Sequence, residues 1–152
     1  MAWTDSRIFV AMTTEELKRS TAFDLDNDGF NVALYNNTPT PDYTAALAST
    51  AYNVGAWTTA NEQSTTGWAA GGVALAGITL TNPTTSTVMW DAADTASAAG
   101  TTLANVYGCL VYDNTLAQKY GVCYNYFGGA NSVTNGVLTV VWNANGLFRF
   151  TL

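Results

Sequence analysis

Residues 133–152 read VTNGVLTVVWNANGLFRFTL, and the alternation in this stretch decides the fold class. Phe148, Phe150 and Leu152 occupy every second position with Arg149 and Thr151 between them, and Leu138, Val140 and Trp142 repeat the pattern upstream. Side chains of a strand point alternately to its two faces, so a period of two marks a ribbon with one buried face. Asn135-Gly136 opens the first run and Asn143-Ala144-Asn145-Gly146 separates the two; Asn and Gly tolerate the positive backbone angles of tight turns. The expectation is a closing hairpin with its apolar face in the core, whose truncation unfolds the protein.

Upstream of that ribbon the sequence continues in the same mode. GWAAGG leads into VALAGITLT, NPTT turns the chain into STVMW, and residues 101–112 and 120–127 pair across DNTLAQK. Phe30, Val32 and Leu34 alternate in FNVALY, the first strand. Roughly seven short strands predict an all-β fold, an antiparallel β-sandwich, with barrel closure as the alternative. Thr13 and Glu16 stand three apart, fit a capping box and predict one short N-terminal helix reaching Ala22. Residues 36–66 hold two of the three prolines and no sustained period, and are expected to run over the surface with a helical turn over 44–49. A chain of 152 residues is expected to form one domain, residues 1–152, and carries no internal repeat.

Composition narrows the function. Charged residues are 11% of the chain, against about 25% in ordinary globular domains, and Thr, Asn and Ser fill the polar positions instead. A surface so poor in charge suits a subunit packed against others. The net charge of −6 and only five Lys and Arg argue against a nucleic-acid partner, because phosphate contacts need clustered cations. No apolar run of about 18 residues marks a membrane span, and MAWTDSRIFVAMTTEELKR lacks the basic-then-apolar order of a signal peptide. The chain is therefore expected to be made in the cytoplasm and not secreted.

Catalysis finds little support, since the sequence contains no His, the usual general base and commonest zinc ligand. Asp91 with Asp94 and Glu15 with Glu16 read as caps and solvated surface, and Gly71-Gly72 and Gly128-Gly129 lack the Lys and helix of a phosphate loop. Asp24, Asp26 and Asp28 followed by Gly29 match the opening of a calcium loop, but Tyr35 stands where the bidentate Glu belongs. A solvated acidic turn is expected there, with no cofactor. Cys109 and Cys123 fall opposite each other if Tyr112 pairs with Tyr120; in a cytoplasmic chain the pair reads as buried thiols, with a cross-strand disulfide as the alternative. Trp90 and Trp142 read as core. Trp57 and Trp68, flanked by polar residues, are candidates for a contact surface, together with Trp3, Phe9, Tyr43 and Tyr52 in the two irregular segments.

The runs TTGWAAGGVALAGITLTNP, ANVYGCLVYDNT and SVTNGVLTVVWNANGLFRFTL resemble a family of small structural proteins of tailed bacteriophages. The pattern is carried by Gly67-Trp68, Gly71-Gly72 and Leu75, by Tyr112-Asp113 and Thr115, and by Thr134-Asn135-Gly136 through Trp142 and Gly146-Leu147-Phe148. FNVALYNNT fits the first strand of that family. The chain departs from the pattern at Trp68, where the family has Tyr, and in its pair of cysteines. The resemblance implies a virion component without enzymatic activity, whose partners are the major capsid protein or tail proteins of the same particle and which forms a homo-oligomer. An acidic protein fits the head exterior, away from packaged DNA, as a decoration or cement protein. A tail or fibre module that stacks host glycan on Trp57 or Trp68 is the second expectation.

Overall fold

The computed structural model describes residues 3–19 and 23–152. Its strands are β1 (Arg7–Ile8), β2 (Phe30–Tyr35), β3 (Val73–Ala74), β4 (Thr79–Thr84), β5 (Thr87–Asp91), β6 (Thr95–Ala96), β7 (Thr101–Asp113), β8 (Gly121–Gly136), β9 (Thr139–Val140) and β10 (Phe148–Thr151). They form antiparallel sheets in the orders β1-β8-β7-β2-β3, β10-β5-β4 and β6-β9, none of them closed. One α-helix, α1 (Val10–Lys18), and three short 3-10 turns within residues 47–61 complete the described chain. The architecture is thus mostly β and antiparallel, with more strands than the sequence pattern predicts and lengths from two residues in β1 to sixteen in β8. No described helix is long and apolar enough to cross a membrane.

β2 lies between β7 and β3, and Val32, Ala33, Leu34 and Tyr35 are all buried. Both of its faces are covered, which is why FNVALY carries apolar residues at the in-between positions as well. On one side Trp3, Phe9, Tyr35, Trp57 and Tyr124 form an aromatic cluster with ring centroids 5.3–6.1 Å apart. On the other, Phe30 meets Trp90 of β5 edge to face at 5.0 Å, which joins the five-stranded sheet to the three-stranded one.

The C-terminal ribbon departs from the expected hairpin. Residues 143–146 do turn, with Gly146 N–H donating to Asn143 O at 2.8 Å, but β9 and β10 do not pair with each other. β9 pairs with β6, while β10 runs along β5 in the register Phe148↔Trp90 and Phe150↔Val88. The edge of β5 competes successfully for the last strand because it supplies backbone partners at both ends, Trp90 O for Leu147 N–H and Ser86 O for Leu152 N–H, plus the Trp90 ring for Phe148. Asn135-Gly136 ends β8 instead of opening a strand. Of the alternating residues Val140 and Phe148 are buried; Leu152 is 93% exposed, so the terminus is not core.

The helix begins four residues earlier than the capping box places it. Phe9 is the N-cap and has no side-chain cap bond, and Thr13 lies inside the helix with its hydroxyl 3.5 Å from Phe9 O. Burial of Phe9 and Met12 against the sheet sets this start, and tertiary packing outweighs a cap in so short a helix. The helix ends at Arg19 in the left-handed conformation, and the expected extension to Ala22 lies outside the described residues. Residues 36–66 do not simply run over the surface. Thr50, Ala51, Trp57 and Glu62 are buried, and Gln63 N–H donates to Leu34 O of β2 at 2.8 Å.

Candidate functional site

Two polar clusters lie beside β2 and β7. In the first, Glu62 is buried and its two carboxylate oxygens accept from Tyr52 OH and from Gly71 N–H, each at 2.8 Å. Gly71 O in turn accepts from Tyr112 OH at 2.5 Å and from Asn31 Nδ2 at 2.9 Å. The rings of Tyr52 and Tyr112 stack at 4.8 Å, and the Lys119 ammonium sits 5.5 Å from the Tyr52 ring centroid. Burial, then the Glu62 carboxylate, pushes the Tyr52 phenol well above its usual range, and burial pushes Tyr112 up to about 12. Neither phenol ionises at neutral pH, so both remain donors. Next to them Trp68 Nε1 donates to Val32 O at 3.0 Å, and Gly72, at φ 81°, lies so close to β2 that a Cβ would stand 2.2 Å from Val32 O. The Gly-Trp-x-x-Gly-Gly loop is therefore a clamp that fastens residues 67–72 to β2.

The second cluster closes the other end of β2. Asp113, the last residue of β7, is fully buried, and its Oδ1 accepts from Thr115 N–H at 2.8 Å and Leu116 N–H at 3.1 Å. Gly29 N–H donates to Thr115 Oγ1 and Asn114 N–H to Gly29 O, both at 2.8 Å. Asp24, Asp26 and Asp28 form a turn: the Asp24 carboxylate accepts from the Asp26 and Asn27 amides, and Asp28 Oδ2 accepts from Asp24 N–H. The Asn27 side-chain amide, which donates to both Asp24 oxygens, and then the Asp26 amide hold the Asp24 carboxyl below its usual range. Among the described residues no group of three or more His, Cys, Asp or Glu is arranged to hold a metal ion. Sequence reasoning missed Asp113 and Glu62; the signal available was a charged residue closing the apolar run GCLVYD.

Four of the expected contact residues are in the core. Trp3, Phe9, Trp57 and Trp68 are 0–2% exposed, so their side chains form no contact surface. The irregular segments that carry them are apolar because they cover the five-stranded sheet, with Trp3 Nε1 donating to Asn36 O and Tyr35 OH to Trp57 O, both at 2.8 Å. Tyr43 is exposed, with the Arg7 guanidinium 5.4 Å over its ring, and Tyr52 is half-buried in the clamp. Cys109 and Cys123 are buried free thiols. The register opposes Cys109 to Asn125 and Val111 to Cys123, so the cysteines are diagonal neighbours and not a directly facing pair. An irregularity between Val111 and Tyr112 puts Tyr112 opposite Gly121 and shifts the register from the expected one. Burial raises both thiols, Cys123 up to about 12. Trp90 is core, whereas Trp142 is only partly buried and lies outside the strands.

Several of the exposed apolar side chains gather in two places. Leu17, Leu80 and Phe150 rim a cleft of about 180 Å³ floored by Met12, Val88 and Phe148, between α1 and the three-stranded sheet. Val137 and Val141 flank a second, of about 420 Å³, beside the part of β8 that β1 does not cover. Ion pairs contribute little to these surfaces; those seen among the described residues, Arg7 with Asp5 and Lys18 with Glu15, join near neighbours in sequence. Comparison of the chain with family models, curated proteins and solved structures finds no match.

Proposed function

We propose that the chain is a non-enzymatic structural subunit of a tailed-bacteriophage virion, a decoration protein on the head exterior that stabilises the shell. The observation that carries the reading is the open apolar cleft beside the edge strand β10, where Leu17 is 85% exposed. Unpaired strand edges and contiguous apolar side chains mark surfaces that pack against another chain. The low charge and acidic balance agree with this, as do the structural roles of two of the motifs that carry the resemblance. Trp68 and Gly71-Gly72 clamp a loop, and Asp113 and Thr115 cap a turn. In this reading the five-stranded and three-stranded sheets, joined at Phe30 and Trp90, serve as the two layers of a sandwich. The partners are the major capsid protein and further copies of the chain, and the location is the virion.

The tail or fibre alternative loses its stacking platform, because Trp57 and Trp68 are both buried. Separation of purified particles into heads and tails, followed by quantitative mass spectrometry, tests the proposal. Hundreds of copies travelling with emptied heads support it, and a handful travelling with tails overturn it.

A further inference from the structure

We propose that the groove between β8 and residues 137–147 is a binding site for a neutral oligosaccharide. Two open clefts make up the groove, of about 420 and 320 Å³, and they run into each other through Phe127, Val140 and Val141, which line both. Each is as large as an ordinary ligand site, and together they are elongated. Among the described residues no charged side chain lines either cleft; Arg7 and Arg149 enter only in a neighbouring one, past Asn125 and Leu147. A phosphate, a carboxylate or a cation would lie there without a counter-charge, so the groove suits an uncharged ligand. It lies on other elements than the apolar cleft between α1 and the three-stranded sheet, so sugar binding and shell binding are separable.

The polar groups of the groove are held by the protein in ways that leave one function of each free. Asn131 Nδ2 donates to Gly129 O at 3.0 Å, which leaves Oδ1 as an acceptor. Asn143 Oδ1 accepts from Asn145 N–H at 2.9 Å, which leaves Nδ2 as a donor. Ser132 Oγ accepts from Asn105 N–H at 3.2 Å and keeps its own hydrogen to donate. A sugar hydroxyl donates and accepts at once, so it satisfies all three. Phe127 and Trp142 add partly exposed aromatic surface, on which the C–H face of a pyranose ring can pack. Trp142 carries the strongest sign of a missing ligand. Its Nε1 is buried without a hydrogen-bond partner, whereas the indole N–H groups of Trp3, Trp68 and Trp90 all donate to main-chain oxygens. Buried donors in folded proteins are nearly always paired. Asp94 Oδ1 anchors the main chain here by accepting Trp142 N–H at 2.9 Å, but the residue lies outside the strands. Rotation of the ring on that anchor brings Nε1 to a hydroxyl oxygen in the cleft.

Acrylamide quenching of tryptophan fluorescence tests this, because Trp3, Trp57, Trp68 and Trp90 are 0–2% exposed and Trp142 is the partly open one. The sugars used are maltohexaose, cellohexaose, chitohexaose and mannohexaose, each titrated to about 10 mM, since so open a groove predicts weak binding with a Kd of about 1 mM. At least one of them is expected to lower the quenching about twofold, with saturation transfer to its C–H protons in NMR, while glycerol does neither. In the same NMR measurement Trp142→Phe, which keeps a ring and loses the N–H, should weaken binding about tenfold. Asp42→Asn, at a surface carboxylate outside the groove, should bind as the wild type does. Should the Trp142 variant fail to fold, Asn143→Ala on the exposed turn decides in its place and is expected to weaken binding severalfold. No protection by any of the four sugars, or saturation transfer that survives Trp142→Phe and Asn143→Ala undiminished, overturns the assignment.

Discussion

The Phe30 and Trp90 rings meet edge to face, 5.0 Å apart and inclined at 74°, and this contact joins β2 of the five-stranded sheet to β5, the middle strand of the three-stranded one. Trp90 also packs on Phe148 at 5.3 Å and donates its indole N–H to Leu25 O at 2.7 Å. Loss of Trp90 thus removes packing in both sheets and leaves the Leu25 carbonyl without its donor. Trp90→Ala is expected to cost about 3–5 kcal/mol in denaturant unfolding, and Trp142→Ala, at a partly exposed position, distinctly less. Equal costs would mean that the two rings are equally buried.

The last strand separates two kinds of apolar position. Phe148 is buried against Trp90, while Phe150 is 38% exposed at the rim of the cleft. Phe148→Ala should destabilise by roughly 3 kcal/mol and Phe150→Ala by about 1 kcal/mol or less. A chain whose stability responded equally to both would have the closing hairpin that the alternation suggests.

Gly72 and Gly128 share nearly the same backbone angle, φ 81° and φ 80°, but not the same surroundings. A Cβ at Gly128 meets nothing within 4 Å, whereas one at Gly72 would collide with the backbone of β2. Gly128→Ala should therefore cost only the left-handed strain, about 1–2 kcal/mol. Gly72→Ala should cost clearly more and detach the clamp, visible as faster amide exchange at Gly71, whose N–H Glu62 holds.

Asp113 makes stability depend on pH in a direction opposite to that of an ordinary paired carboxylate. Its folded pKa, about 6, lies above the value of about 3.9 expected of an unfolded Asp, so the native state binds the proton more tightly. The contribution is fully present below pH ~4 and is lost as pH rises through ~6. Asp113→Asn keeps an acceptor for Thr115 and Leu116 and gains a donor toward Asp28. It should lower Tm relative to the wild type least, or raise it, at pH 7.5, and should flatten the slope between pH 4 and 6. A wild-type slope retained in the variant would assign it to another group.

The two thiols are buried, and burial raises the pKa of each, so neither is expected to react in the folded chain. Alkylation at pH 8 followed by intact-mass measurement should add nothing to the native protein and two adducts after denaturation. A single resistant disulfide would contradict the free pair.

Much of the β architecture was legible because alternation is local: FNVALY, TVMW and the run through GCLVYD all lie in strands. Partner choice was not legible. Asn143 to Gly146 signal a turn, and nothing in residues 133–152 reveals that β5 holds a better edge for Phe148 than β9 does. The aromatic residues of the irregular segments misled for a related reason. Polar neighbours around Trp57 and Trp68 describe the local chain, while burial depends on what folds over the sheet. The acidic turn was visible at Asp24, Asp26 and Asp28, but Asp113 meets it only through the pairing of β2 with β7.

The central claim is that this chain packs its apolar cleft against a phage shell, and a density map of the whole particle tests it most directly. The account predicts many copies of the fold on the head exterior, with Leu17, Leu80 and Phe150 covered by a neighbouring chain. Density for this fold that is absent from the head, or a cleft left open to solvent in every copy, would contradict it.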